Sequence, residues 1–168
     1  PKAYTSQPSD GSTGLSIGVW NNFDFSRSAE DWSEAAKEFG GENGLVDLVV
    51  AQATIDGLVY LPFPFESSGY LYGFSQTDEV EPYLETFDSE GLEVILSIQP
   101  LRANVTQLIE LLLSRYGHHD SVIGVNIDVE WKESGNTNHV SNEERDAWLN
   151  EIRSHDSSLR LFLTYFRD

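Results

Sequence analysis

The chain has 168 residues, 39% hydrophobic and 12% aromatic, which is enough apolar material for one packed domain and excludes wholesale disorder. Its 28 acidic against 10 basic side chains give a net charge of −18, with lysine only at Lys2, Lys37 and Lys132, so no cationic cluster exists to hold a nucleic-acid backbone or an anionic membrane surface. Cysteine is absent, which excludes disulfides, thiol nucleophiles and zinc-thiolate sites, and no apolar run approaches the ~20 residues of a membrane span.

An acidic, lysine-poor surface suits a halophilic protein, because salt screens the repulsion between carboxylates; an ordinary acidic extracellular protein is the rival reading. A chain opening at Pro1 with no methionine is expected to be a processed chain, an excised domain or an incompletely represented protein. Residues 1–14 are rich in Ser, Pro, Gly and Thr and predict a flexible linker.

A repeating unit follows. Residues 15–20 predict a strand, and Ser28 with acidic Asp31 three residues on predicts the start of a helix whose Trp32, Ala35, Ala36 and Phe39 share a face until Gly40 and Gly41 stop it. Residues 45–55 are almost continuously apolar, as in a strand covered on both faces, and Asp56-Gly57 reads as a tight turn. The aromatic, Pro-rich stretch 58–76 is too long for a plain connection, so it is expected to be functional or locally folded. Asp78 is expected to cap a helix ending at Gly91, followed by a strand over 92–98. Asn104 caps the most apolar helix, which ends near Gly117. Residues 122–131 predict a fourth strand, Ser141 with Glu144 a capping box, and 159–166 a fifth strand.

Alternation of strand and helix at spacings of roughly 30 to 45 residues is that of βα crossover units, which implies an α/β fold with a parallel sheet. No G-x-G-x-x-G follows the first strand and no P-loop is present, so a nucleotide-binding fold loses its main support.

One segment concentrates chemistry: Gly124-Val125-Asn126-Ile127-Asp128-Val129-Glu130-Trp131. As a strand it would turn Val125, Ile127 and Val129 to one face and Asn126, Asp128 and Glu130 to the other. Two carboxylates side by side at the C-terminal end of a strand, where barrel enzymes keep their active sites, are costly unless used. Mutual repulsion in a partly desolvated pocket is expected to raise one of them into the range of a general acid.

This segment resembles the fourth-strand signature D-G-x-D-x-D-x-E of the family 18 glycoside hydrolases, which include chitinases, endo-β-N-acetylglucosaminidases and inactive lectin-like relatives. On that resemblance Glu130 falls on the proton-donating glutamate, Asp128 on the aspartate that orients the substrate's N-acetyl group, and Asn126 on the preceding aspartate, while Ile123 replaces the first one. The stretch 94–100 resembles the third-strand S-x-G-G segment, with Gln99-Pro100 in place of the glycines, and 17–20 and 161–164 resemble the first and fifth strands. The resemblance implies a (β/α) barrel of TIM type and a retaining, substrate-assisted hydrolysis of N-acetylglucosamine-containing glycans with no cofactor. An extracellular or cell-surface setting goes with that substrate. Ile123 and Asn126 leave room for a second reading, a non-catalytic surface, filament or carbohydrate-binding protein on the same scaffold. A third, in which Asp128 and Glu130 hold Mg²⁺ or Ca²⁺ in a phosphodiesterase, lacks a histidine beside them.

Trp20, Gln99, Trp131 and Tyr165 are the substrate-binding candidates, the three aromatics because they fall at or near strand ends where they can stack on sugar rings. Tyr60, Phe63, Phe65, Tyr70 and Tyr72 are expected either to form a lid or to pack their loop down. Gln52 and Arg102 are within plausible reach by location alone. His118 and His119 follow a helix C-terminus, where the helix dipole accounts for them, and His139 and His155 have no acidic partner at ligand spacing, so no transition metal is expected. Asn104-Val105-Thr106 is a glycosylation sequon. Five expected strands fall short of the eight in a closed barrel of about 250 residues, so the remainder is expected elsewhere in a longer chain or in a partner subunit.

Overall fold

The computed structural model describes residues 3–6, 14–21, 27–41, 44–66, 72–132 and 139–164, the first two segments by their backbone. In chain order the elements are β1 (Ala3–Ser6), β2 (Gly14–Asn21), α1 (Ala29–Gly40), β3 (Leu45–Ala53), β4 (Val59–Leu61), β5 (Tyr72–Phe74), α2 (Glu81–Glu90), β6 (Glu93–Ile98), α3 (Val105–Tyr116), β7 (Val122–Asp128), a 3₁₀ turn (Val129–Trp131), α4 (Asn142–His155) and β8 (Arg160–Thr164). Six strands lie in the order β1-β2-β3-β6-β7-β8, and β4 with β5 extends from the end of β3. All pairs from β2 to β8 along that path are parallel. The fold is α/β with a mostly parallel sheet and four helices.

The parallel strands follow chain order without reversal. Because parallel crossovers are almost always right-handed, an unreversed order places successive helices on one face, unlike a doubly wound sheet, whose order reverses and places helices on both. Side-chain burial agrees: Val46, Leu48 and Val50 of β3, Val94, Leu96 and Ile98 of β6, and Val125 and Ile127 of β7 join residues of all four helices in one apolar core. Within it α3 contributes Val105, Leu108, Ile109, Leu112, Leu113 and Tyr116, a 3.6-residue stripe in which each full burial is worth roughly 1.5–3 kcal/mol for an aliphatic side chain. The alternate residues of the strands make the opposite face.

Local signals place the helices. Ser28 and Asn104 accept from the backbone N–H of Asp31 and Gln107, and Ser141 and Glu144 form a reciprocal capping box. Asp78 acts differently from the expected cap: α2 begins at Glu81, yet Asp78 Oδ1 accepts from the backbone N–H of both Val80 and Glu81. The opening stretch expected to be a linker contains β1, antiparallel to β2, which covers the outer edge of that strand.

The stretch 58–76 is locally folded in the described part. The turn at Gly57, with φ at +76°, reverses the chain so that β4 pairs antiparallel with β3, and β5 joins β4. Three of its aromatics pack inward while Phe74 is exposed: Phe63 is fully buried, and Phe65 and Tyr72 meet edge to face at 5.4 Å against the core. These rings pack the segment down, while Tyr70 lies outside the described residues.

Asp78 locks this segment to α3. Its carboxylate accepts from Arg115 Nε at 2.8 Å and from the Tyr116 hydroxyl at 2.9 Å, while the Arg115 guanidinium lies 4.9 Å from the centre of the Phe63 ring. Burial works to raise the Asp78 carboxyl, but the bonds from Arg115, the Glu81 N–H, Tyr116 and the Val80 N–H outweigh it and hold it below the usual value. Asp78→Asn is therefore expected to cost about 2 kcal/mol at pH 7, since an amide cannot accept all of these donors and Arg115 loses its counter-charge. A depressed carboxyl stabilises the fold above its unfolded value of about 4, and that contribution is lost as pH falls through the folded value. Urea melts of both proteins should differ most at neutral pH and converge in acid.

Candidate active site

The sheet face opposite the helices carries polar groups at successive strands. By alternation it holds Leu45, Asp47 and Val49 of β3, Ile95 and Ser97 of β6, and Gly124, Asn126 and Asp128 of β7. Asp47, Ser97, Asn126 and Asp128 are all buried.

Asp47, Ser97 and Asn126 form a hydrogen-bonded line across three strands, which Thr164 extends to a fourth. The Asn126 amide donates to Ser97 Oγ at 2.9 Å, and the Ser97 hydroxyl donates to Asp47 Oδ1. On its other side the Asn126 amide nitrogen donates to Thr164 Oγ1 at 2.9 Å, and the Thr164 hydroxyl returns a bond to Asn126 Oδ1 at 3.1 Å. Strand register brings these groups together: Ser97 lies opposite Asn126, and Thr164 opposite Asp128. Asp47 is a site residue that sequence reasoning missed, although a charge inside the apolar run Leu45-Val46-Asp47-Leu48-Val49 was the available signal.

Asp128 sits where the strand alternation predicts, on the face of Asn126 at the last position of β7. Glu130 does not. The expected strand to residue 131 stops at Asp128, and Val129–Trp131 forms a 3₁₀ turn that buries Val129 and turns Glu130 and Trp131 to solvent, Trp131 being 44% exposed. The two carboxylates thus share one end of β7 but not one strand face.

Backbone and charge hold the turn. The Leu101 N–H donates to the Trp131 carbonyl at 2.7 Å, and Leu101 adopts φ of +47°, the only such non-glycine conformation among the described residues. For a branched side chain that conformation costs of the order of 1–3 kcal/mol and persists only where surrounding structure imposes it. Lys132 follows, its ammonium 2.5 Å from Glu144 Oε1 and 5.6 Å from the centre of the Trp148 ring. The Lys132 contact and the Ser141 N–H together hold the Glu144 carboxyl below its usual value. The exit of β6, the Glu130 turn and the start of α4 are thereby tied together.

Other candidates divide. Gln99 is buried, and its side-chain carbonyl accepts from the Ala53 N–H at 3.1 Å, stitching β6 to β3 beside the register shift between Val49 and Ala51. Trp20 occupies the position of β2 opposite Asp47. Gln52 pairs with Tyr60 across β3 and β4, Arg102 is exposed, and Tyr165 lies outside the described residues. His119, expected to answer only to the helix dipole, is buried against two carboxylates of α2.

Gly124 is required by geometry: a Cβ built there would stand 2.2 Å from the backbone oxygen of Arg160 on β8. No helix among the described residues is long and apolar enough to cross a membrane. No family model and no curated protein matches the chain.

Proposed function

We propose that the chain adopts a partial (β/α) barrel of the family 18 glycoside hydrolase type and acts on N-acetylglucosamine-containing polysaccharide or glycan. Glu130 is the acid/base and Asp128 the carboxylate that orients the substrate's acetamido group. The observation that carries this reading is the placement of Asp128, buried at the C-terminal end of a central parallel strand, with Glu130 facing solvent two residues beyond it. The unreversed strand order supports the barrel.

In this reaction the acetamido oxygen of the substrate attacks its own anomeric carbon while Glu130 gives its proton to the departing glycosidic oxygen. A water then adds from the vacated side, surrendering a proton to Glu130 as the bond from the anomeric carbon to the acetamido oxygen breaks, and the original anomeric configuration is restored. Asp128 holds the acetamide in the attacking orientation. Trp131, exposed beside Glu130, offers an aromatic face to a sugar ring.

Incubation with a chromogenic chitobiose glycoside, in low and multimolar salt, tests this. Turnover is expected, with Glu130→Gln lowering it by about 10²–10⁴-fold. An exposed position should leave the melting curve of that variant unchanged. Turnover that survives the substitution removes Glu130 from its role.

One observation favours a second reading, a non-catalytic carbohydrate-binding protein. Asn126, at the position the resemblance assigns to an aspartate, spends its amide on Ser97 and Thr164 and cannot relay a proton as a carboxyl would. Sugar binding without turnover in either protein supports that reading.

A further inference from the structure

We propose that Glu81, His118 and His119 form a site for a divalent late transition metal of the zinc class, clamping the start of α2 to the segment that leads into β7. The three side chains each bring one ligand atom within 4.8 Å of the others. Nothing in the proposed glycan chemistry uses them.

The tautomer of His119 is set by its neighbour. Its Nδ1 lies 2.6 Å from Asp88 Oδ2, and the other oxygen of that carboxylate accepts from the Ser121 N–H at 2.8 Å. A carboxylate accepts and does not donate, so Nδ1 carries the proton. A carboxylate behind a histidine in this way fixes the ring and raises the basicity of its far nitrogen, as in metal sites.

That far nitrogen, Nε2, is buried and has no hydrogen-bond partner, in a side chain only 4% exposed. It stands 3.3 Å from Glu81 Oε1 without the geometry of a hydrogen bond, and His118 Nε2 stands 3.8 Å from the same oxygen. With Nε2 unprotonated its lone pair faces that of Glu81 Oε1, a repulsion that a metal cation between them relieves. Ligand bonds of about 2.0–2.1 Å in a tetrahedron place neighbouring donors roughly 3.3 Å apart, the separation found for Glu81 and His119. His118, exposed and lying against His119 with ring centres 4.2 Å apart and planes tilted by 37°, closes its longer gap by side-chain rotation. Two imidazoles and one carboxylate suit zinc, cobalt, nickel or copper over calcium or magnesium, and leave a fourth position to water. Residues almost forty apart in sequence make the site, which is why spacing did not reveal it.

The test is calorimetric titration of the chelator-stripped full chain with Zn²⁺ in excess Mg²⁺, which occupies the loose sites of so acidic a surface. Co²⁺ titration reports geometry through its visible absorption. One equivalent is expected, with tetrahedral Co²⁺ bands and a raised melting temperature. Glu81→Gln and His118→Ala, both at accessible positions, should each weaken Zn²⁺ at least tenfold with an unchanged circular dichroism spectrum. His155→Ala, which removes a histidine that, contrary to the expectation from spacing, lies 3.4 Å from Glu151 four residues before it on α4, should change nothing. Zn²⁺ binding no tighter in the native chain than in His118→Ala, or an equal loss in His155→Ala, overturns the proposal.

Discussion

Asn126→Asp, which puts an acidic residue where the proposed glycosidase resemblance has one, is expected to destabilise the chain by about 3 kcal/mol at neutral pH. The amide nitrogen it replaces donates to Ser97 and Thr164, both at 2.9 Å. Ser97 already directs its hydroxyl proton to Asp47, so a carboxylate at this position would face the Ser97 oxygen with no proton between them. It would also be a buried charge two residues from Asp128, on the same strand face. Desolvation and these neighbouring carboxylates raise the new carboxyl in the folded state above its unfolded value of about 4. The folded chain then holds the proton more tightly than the unfolded one, so the penalty is full above the raised value and fades as pH falls toward the unfolded value. Urea denaturation at several pH values checks this. A variant as stable as the native chain at pH 7 would show that the line from Asp47 to Thr164 is not a built hydrogen-bond network.

Gly124→Ala is expected to cost about 3 kcal/mol through a single added methyl group. At 2.2 Å the new carbon overlaps the Arg160 carbonyl oxygen, and that oxygen belongs to backbone, which cannot turn aside as a flexible side chain does. Relief requires β8 to move away from β7. On its other side β8 has no neighbour in the described sheet, and its residues are only partly buried, so it is the element that yields. Hydrogen exchange should then accelerate at the amides of Arg160–Thr164 and remain slow in β3 and β6, which have strands on both sides. Loss of the Thr164 contact would also leave Asn126 with Ser97 as its remaining partner in this line. A variant with native stability and native exchange in β8 would contradict the close approach of the two strands.

The candidate site was legible where it obeyed a local period and obscure where it did not. Alternation along 124–128 correctly placed Asn126 and Asp128 on one face and Val125 and Ile127 on the other. Extending the same period to Glu130 failed because the strand gives way to a 3₁₀ turn, a change held by Leu101, just beyond β6, and by Lys132 against Glu144 of α4. Leu101 and Glu144 are distant in sequence from the residue they help position. The aromatic stretch carried two readings from composition alone, and Phe63 and Phe65 chose the packed one because Arg115 and the core were there to receive them.

The sequence by itself determined the helices through Ser28, Asn104 and the Ser141–Glu144 pair, and the parallel α/β class through alternation of strand and helix, since capping and periodicity are interactions between near neighbours in the chain. Only the tertiary structure decided that Asp47, Ser97, Asn126 and Thr164 form one line, and that His119 lies between Asp88 and Glu81. Those groups meet through strand register and helix packing, which bring together residues that no local pattern relates.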